Sequence, residues 1–423
     1  MMKLPIYFLI SLLLPSVIFS GLIPRTPKFR SIEDGRGKPF FALDILGLAK
    51  LHGRKIEWYN VTTEDGYILA LHRILPNSSS EEENTTQRPV VLLQPGLIAT
   101  SDVFVFFNSP RSLGYQLSDA GYDVWLGNFR GSTYCLNHER LMFDEPEFWD
   151  FSMDECALID IPAQIDFALK MTNQSSLSFI GHSMGATAHI MLLSDRPEYN
   201  KKMDFVAYFA PVVYSITRNS RRDIVPFLTL IPQIFRPNGD YEVFSQNLLN
   251  PIVIYFCAST KSLLEWCQSL VDILAGYDRV QFQVANFLGL MTYYPAGSSA
   301  KVFYQYSQQT LTGTFRKFDY LTRDLNLQHY GQPTPPEYDM SIIDVPVMAI
   351  FTGPGDPSIT NEDIKFFVKR MSPKQQQSVI HEVVKFPSFT HGSFILAKDI
   401  KPLVNDLVVD YLQKYYQNKT DGF

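Results

Sequence analysis

Cysteine is scarce. Four thiols in 423 residues cannot supply the dense cross-linking of small secreted scaffolds, so a buried apolar core must hold the fold. Positive charge is not in excess either: 37 Lys plus Arg stand against 43 Asp plus Glu, a formal charge of −6. That balance removes the electrostatic footprint a nucleic-acid partner would require. Charged residues make up only 19% against 46% hydrophobic, which excludes a mainly disordered chain. Internal repeats and low-complexity tracts are absent, and past residue 20 no apolar run reaches the ~20 residues needed to span a bilayer. After its first segment the chain is expected to be globular, with no transmembrane anchor.

That first segment is of a different kind. Lys3 opens it, Leu4 to Phe19 is apolar apart from Ser11 and Ser16, and Ser20-Gly21 offers small residues for cleavage. Residues 1–20 therefore read as a secretory signal. Entry into that route makes the N-glycosylation acceptors at Asn60, Asn77, Asn84, Asn173 and Asn418 meaningful, and the polar stretch 76–89 is expected to be an exposed loop. In the same oxidising route Cys257 and Cys267, ten positions apart, are the favoured disulfide. Cys135 and Cys156 either pair or stay buried as thiols.

Aromatic residues are plentiful, at 14%, a surplus that suits both cores and apolar ligand cavities. The run 55–75 holds two β-rich stretches around Glu64-Asp65-Gly66, a hairpin signal. Continuous apolar strands are expected at 89–94, 121–125, 177–180, 205–209, 345–351 and 379–386, with helices at 113–120, 153–171 and 186–193. Buried strands alternating with helices imply an α/β fold with a mostly parallel sheet covered on both faces. From 215 to 344 the alternation stops, yet apolar runs persist at 225–235, 253–256 and 280–291. That stretch reads as an inserted, mainly helical cap, which either packs on its own small core or lines a substrate cavity. The organisation is then a signal at 1–20, a first core part at 21–214, the insertion at 215–344 and a second core part at 345–423.

Chemistry concentrates at Gly181-His182-Ser183-Met184-Gly185, between an expected strand and an expected helix. A nucleophilic serine on a sharp strand-to-helix bend requires minimal side chains two positions to either side, and two glycines provide that. A serine hydroxyl also needs a base, itself oriented by a carboxylate, in the chain order Ser, acid, His. Three histidines lie late enough in the chain. His329 falls in the polar end of the insertion and His381 inside a strand, whereas His391 follows that strand in a small polar turn and is the chosen base. Asp356 sits in the tight loop Thr352-Gly353-Pro354-Gly355-Asp356-Pro357 and is the chosen acid. Asp363 has the position of a helix cap, and Asp344 precedes its strand. Backbone N–H groups of Leu97 and Met184 are the expected donors to an oxyanion. Asn128, Arg130 and Gly131 are expected to stabilise a loop, Asp154 and Glu155 to begin a helix, and His182 and His189 to pack around the serine bend.

The segments TEDGYILALHRI at 63–74, SDAGYDVWLGNFRGSTY at 118–134, FWDFSMDE at 148–155, GHSMG at 181–185, YPAGSS at 294–299 and YGQPTPPEYD at 330–339 together resemble the acid lipases related to gastric and lysosomal acid lipase, over about residues 45–415. The resemblance implies an α/β-hydrolase with a helical cap and a lid, hydrolysis of neutral-lipid esters at a lipid–water interface, secreted or lysosomal residence, and no metal or organic cofactor. It implies Ser183, Asp356 and His391 as the triad, Leu97 and Met184 as oxyanion donors, and a cap disulfide between Cys257 and Cys267. The family usually has His at the position of Pro95, Gln at Met184, His at Tyr293, and Leu-Asp in place of Gly392-Ser393. A lipid-binding protein of the same fold with little turnover is the alternative reading.

Overall fold

The structure, a computed structural model, describes residues 43–76, 88–214, 242–244, 249–276 and 278–421. The signal at 1–20, Asn77, Asn84 and the apolar run 225–235 lie outside the described residues.

Strand β1 (Ile56–Thr62) and strand β2 (Tyr67–Ile74) form the expected hairpin, antiparallel from Ile56 opposite Ile74 to Thr62 opposite Ile68. Gly66 takes φ 99° in its turn, a conformation that side-chain-bearing residues avoid. Next come β3 (Val90–Gln94), β4 (Asp123–Leu126), the short β5 (Asn137–His138), β6 (Leu177–His182) and β7 (Met203–Phe209). Two-residue strands β8 (Glu242–Val243) and β9 (Ser298–Ser299) pair with each other inside the inserted stretch, and β10 (Met348–Thr352) and β11 (Val379–Val383) close the series. Among the described residues nine strands make one sheet in the order β1-β2-β4-β3-β6-β7-β10-β11, with β5 on β2.

Every pair from β4 through β11 along that order is parallel. β3, β4, β6, β7 and β10 are buried at every position, which is why they read as unbroken apolar runs rather than alternating ones. Strand order reverses at β3, whose neighbours are β4 on one side and β6 on the other. Crevices at such reversals, beyond the carboxyl ends of the strands, are where open α/β sheets bind ligands. The residue after β6 is Ser183.

Two expected strands are shorter than their apolar runs. β10 starts at Met348 rather than at Val345 and β11 stops at Val383 rather than at Phe386, because the flanking residues turn onto other partners; Val345 N–H donates to Gln375 Oε1 at 2.7 Å. The expected helix at 153–171 is three consecutive pieces, Met153–Glu155, a wider π-type turn at Cys156–Asp160 and Ile161–Thr172. The helix Met184–Asp195 is buried on all sides from Met184 to Ser194; it lies within the core rather than on it.

In the inserted stretch the helices Leu249–Ser259 and Lys261–Ala275 are joined by the Cys257–Cys267 disulfide. Cys135 and Cys156 are free and buried. Val284–Leu290, Ala300–Thr312 and Arg323–Tyr330 follow as helices. Phe282, Phe287, Leu290, Val302 and Tyr306 belong to the same core as the sheet, while a small separate cluster gathers Val243, Ala300 and Phe303. The described residues of this stretch therefore pack mostly on the main core rather than on one of their own. Among the described residues no helix is long and apolar enough to cross a membrane.

Candidate active site

Ser183 occupies the bend between β6 and the following helix at φ 52°, ψ −119°, a backbone region costly for any residue with a side chain. Three features hold it there. Its N–H donates to the Phe209 carbonyl of β7 at 2.9 Å. A Cβ at Gly181 would come within 2.5 Å of the Ala186 nitrogen, and one at Gly185 within 2.4 Å of the Gln94 carbonyl oxygen. Backbone on both sides of the bend thus packs closer than any side chain permits. The glycines are a condition of the strain.

The residues singled out from the sequence converge here. His391 Nε2 lies 2.8 Å from Ser183 Oγ, and His391 Nδ1 lies 2.9 Å from Asp356 Oδ2. Asp356 is otherwise engaged through Oδ1, which accepts from the amides of Ser358 at 2.6 Å and Ile359 at 3.3 Å. With one oxygen held by its own loop, the carboxylate presents the other to the imidazole in a fixed direction. Its 352–357 loop is tight because Gly353 packs onto the Phe389 carbonyl, 2.3 Å from where a Cβ would stand.

The competing residues are elsewhere. Asp363 caps its helix, accepting from Thr360 N–H at 3.0 Å and Thr360 Oγ1 at 2.8 Å. Asp344 pairs with Lys374 at 2.7 Å. His381 stands on β11 with Nε2 2.9 Å from Thr352 Oγ1, and His329 stacks on Tyr320 at 3.6 Å.

Leu97 lies in the loop after β3, and Met184 is the first residue of the helix that follows Ser183. A Cβ on Gly96 would lie 3.0 Å from Ser183 Cβ, so the segment after β3 runs directly beside Ser183. Among the described residues neither the Leu97 nor the Met184 N–H donates to a protein acceptor, and a backbone donor in such a place is available to a ligand oxygen.

His182 and His189 pack around the bend as expected. His182 lies 3.3 Å from the His391 carbonyl oxygen through Nε2, and burial first, with the neighbouring His391 second, lowers its pKa to about 3. His189 stacks on Phe179 at 3.7 Å with Nδ1 2.8 Å from the Tyr208 hydroxyl, and burial lowers its pKa likewise to about 3. Of the three rings, it is His391 that stands within hydrogen-bond distance of Ser183 Oγ among the described residues. A cavity of about 20 Å³ beside His182 is walled by Phe104, Phe107, Phe209 and Phe394 with Arg111, too small for an acyl chain.

The loop residues have structural partners. Asn128 accepts from Ser101 N–H at 2.9 Å and donates to the Ala70 carbonyl at 2.9 Å. Arg130 is buried between Asp160 at 2.7 Å and Asp65 at 2.6 Å, which hold its guanidinium charged despite its burial. Gly131, at φ 74°, packs against the Phe151 and Trp149 rings. Glu155 closes a capping box with Ser152. Asp154 stands in the first turn of that helix as expected and also turns inward: it accepts from Tyr338 Oη at 2.6 Å, Gln305 Nε2 at 2.6 Å and Phe318 N–H at 2.8 Å. No local pattern in the sequence signals that role, because its partners lie at least 151 positions away. Of the glycosylation acceptors within the described residues, Asn60, Asn173 and Asn418 are exposed.

Comparison with known proteins gives this geometry a family. Residues 46–107 match a family model described as a partial alpha/beta-hydrolase lipase region, and residues 89–210 match one for the alpha/beta hydrolase fold. The chain is 33% identical over 378 residues to gastric triacylglycerol lipase of Homo sapiens, covering 88% of this chain and 92% of that protein. It is 32% identical to Lipase 3 of Drosophila melanogaster, covering 86% and 91%. It is also 33% identical to a protein of Crotalus adamanteus provisionally named lysosomal acid lipase/cholesteryl ester hydrolase, covering 92% and 94%. Among solved structures, a candidate lipase from Sulfolobus solfataricus shares the fold with a TM-score of 0.53 at 15% identity, covering 85% of this chain and 99% of that one. The fold is that of the α/β-hydrolases, and the chain belongs to the acid lipase family, the group that includes the gastric lipases.

Proposed function

We propose that the protein is a secreted or lysosomal serine lipase that hydrolyses neutral-lipid carboxylic esters, triacylglycerols or sterol esters, through an acyl-enzyme. The observation that carries this reading is the continuous hydrogen-bonded line from Ser183 Oγ through His391 to Asp356, at 2.8 and 2.9 Å.

Because Asp356 accepts from His391 Nδ1–H, the Nε2 atom is left as the proton acceptor facing the serine. Ser183 Oγ attacks the ester carbonyl carbon while its proton passes to Nε2, and Asp356 stabilises the imidazolium. The carbonyl oxygen gains negative charge and is met by the N–H groups of Leu97 and Met184, each such donor worth roughly 10² to 10³ in rate. Collapse breaks the bond to the alcohol, which takes the proton from Nε2. Water then attacks the acyl-enzyme with His391 again as base, releasing the fatty acid.

Neutral esters as substrates, and residence outside the cytosol, are supported by the relatives named above and by the signal-like residues 1–20. The test is covalent. A fluorophosphonate is expected to label wild-type protein at Ser183, and Ser183→Ala is expected to lose both labelling and fatty-acid release from a trioleoylglycerol or cholesteryl oleate emulsion. A wild type that stays unlabelled while lipid co-purifies with it would establish a binding protein instead.

A further inference from the structure

The turn that carries His391 is held by the insertion as well as by the sheet. Gly392 N–H donates to the carbonyl of Ala275, the last residue of the helix Lys261–Ala275, at 2.9 Å. Thr390 Oγ1 donates to the carbonyl of Gly276 at 3.2 Å. Gly276 adopts φ 71°, and a Cβ there would lie 2.6 Å from Thr390 Cβ and 3.1 Å from Pro357 Cδ. The end of this inserted helix therefore wedges between the residue before the histidine and the residue after the aspartate. Further along, Lys398 N–H donates to the Gln281 carbonyl at 2.9 Å, and the Phe282 ring stands 3.2 Å from where a Gly392 Cβ would be.

Within the turn, Ser393 Oγ accepts from Thr390 N–H at 2.9 Å and lies 3.0 Å from Thr390 Oγ1. The carbonyls at a helix end lack intrahelical donors and need partners. Here two such partners are the amide and the hydroxyl on either side of His391. The same helix is tied through Cys267 to Cys257 on the preceding helix, which exposes Val253, Tyr255 and Phe256. A line of bonded contacts thus runs from a helix with exposed apolar residues to the turn that bears the imidazole. The titratable groups set against His391 from other elements are Asp356 and His182; Asp278, beside the wedge, accepts from the Val280 and Gln281 amides.

We propose that Thr390 and Ser393 are positioning residues for His391, through which the carbonyl end of the inserted helix Lys261–Ala275 holds the imidazole in line with Ser183. This rests on the serine-lipase reading. The carbonyl end of this helix then does more than pack on the core: a shift of it moves the base, and the proton-transfer step registers the shift.

The test uses the full chain with Thr390→Val, which keeps the shape and removes the hydroxyl, Thr390→Ser, which restores it, and Ser393→Ala as a second variant. Turnover of soluble p-nitrophenyl butyrate and the downfield proton resonance of His391 Nδ1–H are read together. Thr390→Val is expected to lower kcat about 10- to 100-fold with KM nearly unchanged, and to broaden the resonance. Thr390→Ser should recover both, and Ser393→Ala should fall between. Active wild type with Thr390→Val and Ser393→Ala variants that match it in kcat and resonance overturns the positioning role alone. Inactive wild type whose resonance still broadens in Thr390→Val overturns the lipase reading and leaves the positioning role standing. Inactive wild type with no change in resonance overturns both.

Discussion

At the scale of single residues, the two candidate acids differ by what their oxygens already do. Asp356 gives one oxygen to its loop and one to His391, whereas the Asp363 oxygen that accepts hydrogen bonds is committed to the Thr360 cap. Asp356→Asn is expected to lower turnover by on the order of 10⁴, since an amide cannot orient the same tautomer, while Asp363→Asn should leave kcat within a few-fold. Steady-state kinetics of the two purified variants decides it. The buried histidines make a separate prediction about pH. His189 has a pKa lowered by burial from its ordinary 6.5 to about 3, so the unfolded chain binds the proton more readily between those values. Its contribution to stability is present above pH 6.5 and lost as pH falls toward 3. His189→Phe loses the hydrogen bond to Tyr208 at every pH, but the difference from wild type in urea unfolding should move in the variant's favour as pH falls, by up to about 1.4 kcal/mol per pH unit.

At the scale of elements, the serine bend shows how local sequence and distant backbone cooperate. Gly181 and Gly185 are adjacent to the bend in the sequence, but the reason Gly185 bears no side chain is the Gln94 and Pro95 carbonyl oxygens of another loop, at 2.4 and 2.6 Å from its would-be Cβ. Gly185→Ala is expected to destabilise the fold by about 1 to 3 kcal/mol, as overpacking does. The shift should also move the loop bearing Leu97, so fluorophosphonate labelling of Ser183 should slow by more than the loss of folded protein accounts for. Thermal unfolding measured beside labelling rates separates the two effects. Equal losses in both would mean that the glycine serves packing alone.

At the scale of the whole molecule, Asp154 ties the start of its helix to the distant stretch 305–338, since its three donors come from Gln305, Phe318 and Tyr338. Burial foremost, and then Glu155, raise its carboxyl to a pKa of about 6, against those three hydrogen bonds, which favour the charged form. An acid whose folded pKa lies above its unfolded value of 3.8 holds its proton more firmly when folded. Its contribution to stability is therefore complete below about pH 4 and lost as pH rises through 6, opposite in sign to that of His189. Asp154→Asn should flatten the corresponding slope: measured by urea unfolding from pH 4 to pH 7, the stability of the wild type relative to the variant should fall as pH rises. A difference independent of pH would show that the carboxyl stays ionised throughout.

Much of this molecule is legible in its sequence. Buried parallel strands must be apolar on both faces, so β3, β6 and β7 stand out as runs, and a bend that tolerates only glycine at two positions marks Ser183. The chain order of acid and histidine then narrowed Asp356 and His391 to a few candidates, because loops after strands face the sheet's carboxyl edge. What the sequence could not determine is everything that depends on contact between distant segments. Asp154 reads as a helix-starting acid because its own neighbours suggest a cap; only folding brings Gln305, Phe318 and Tyr338 to it. The hold of Gly276 and Ala275 on the His391 turn has no periodicity or motif, since it joins two carbonyls to two donors more than 110 positions away. Local patterns are set by rules of spacing along the chain, whereas such long-range hydrogen bonds exist only once packing has chosen which surfaces meet.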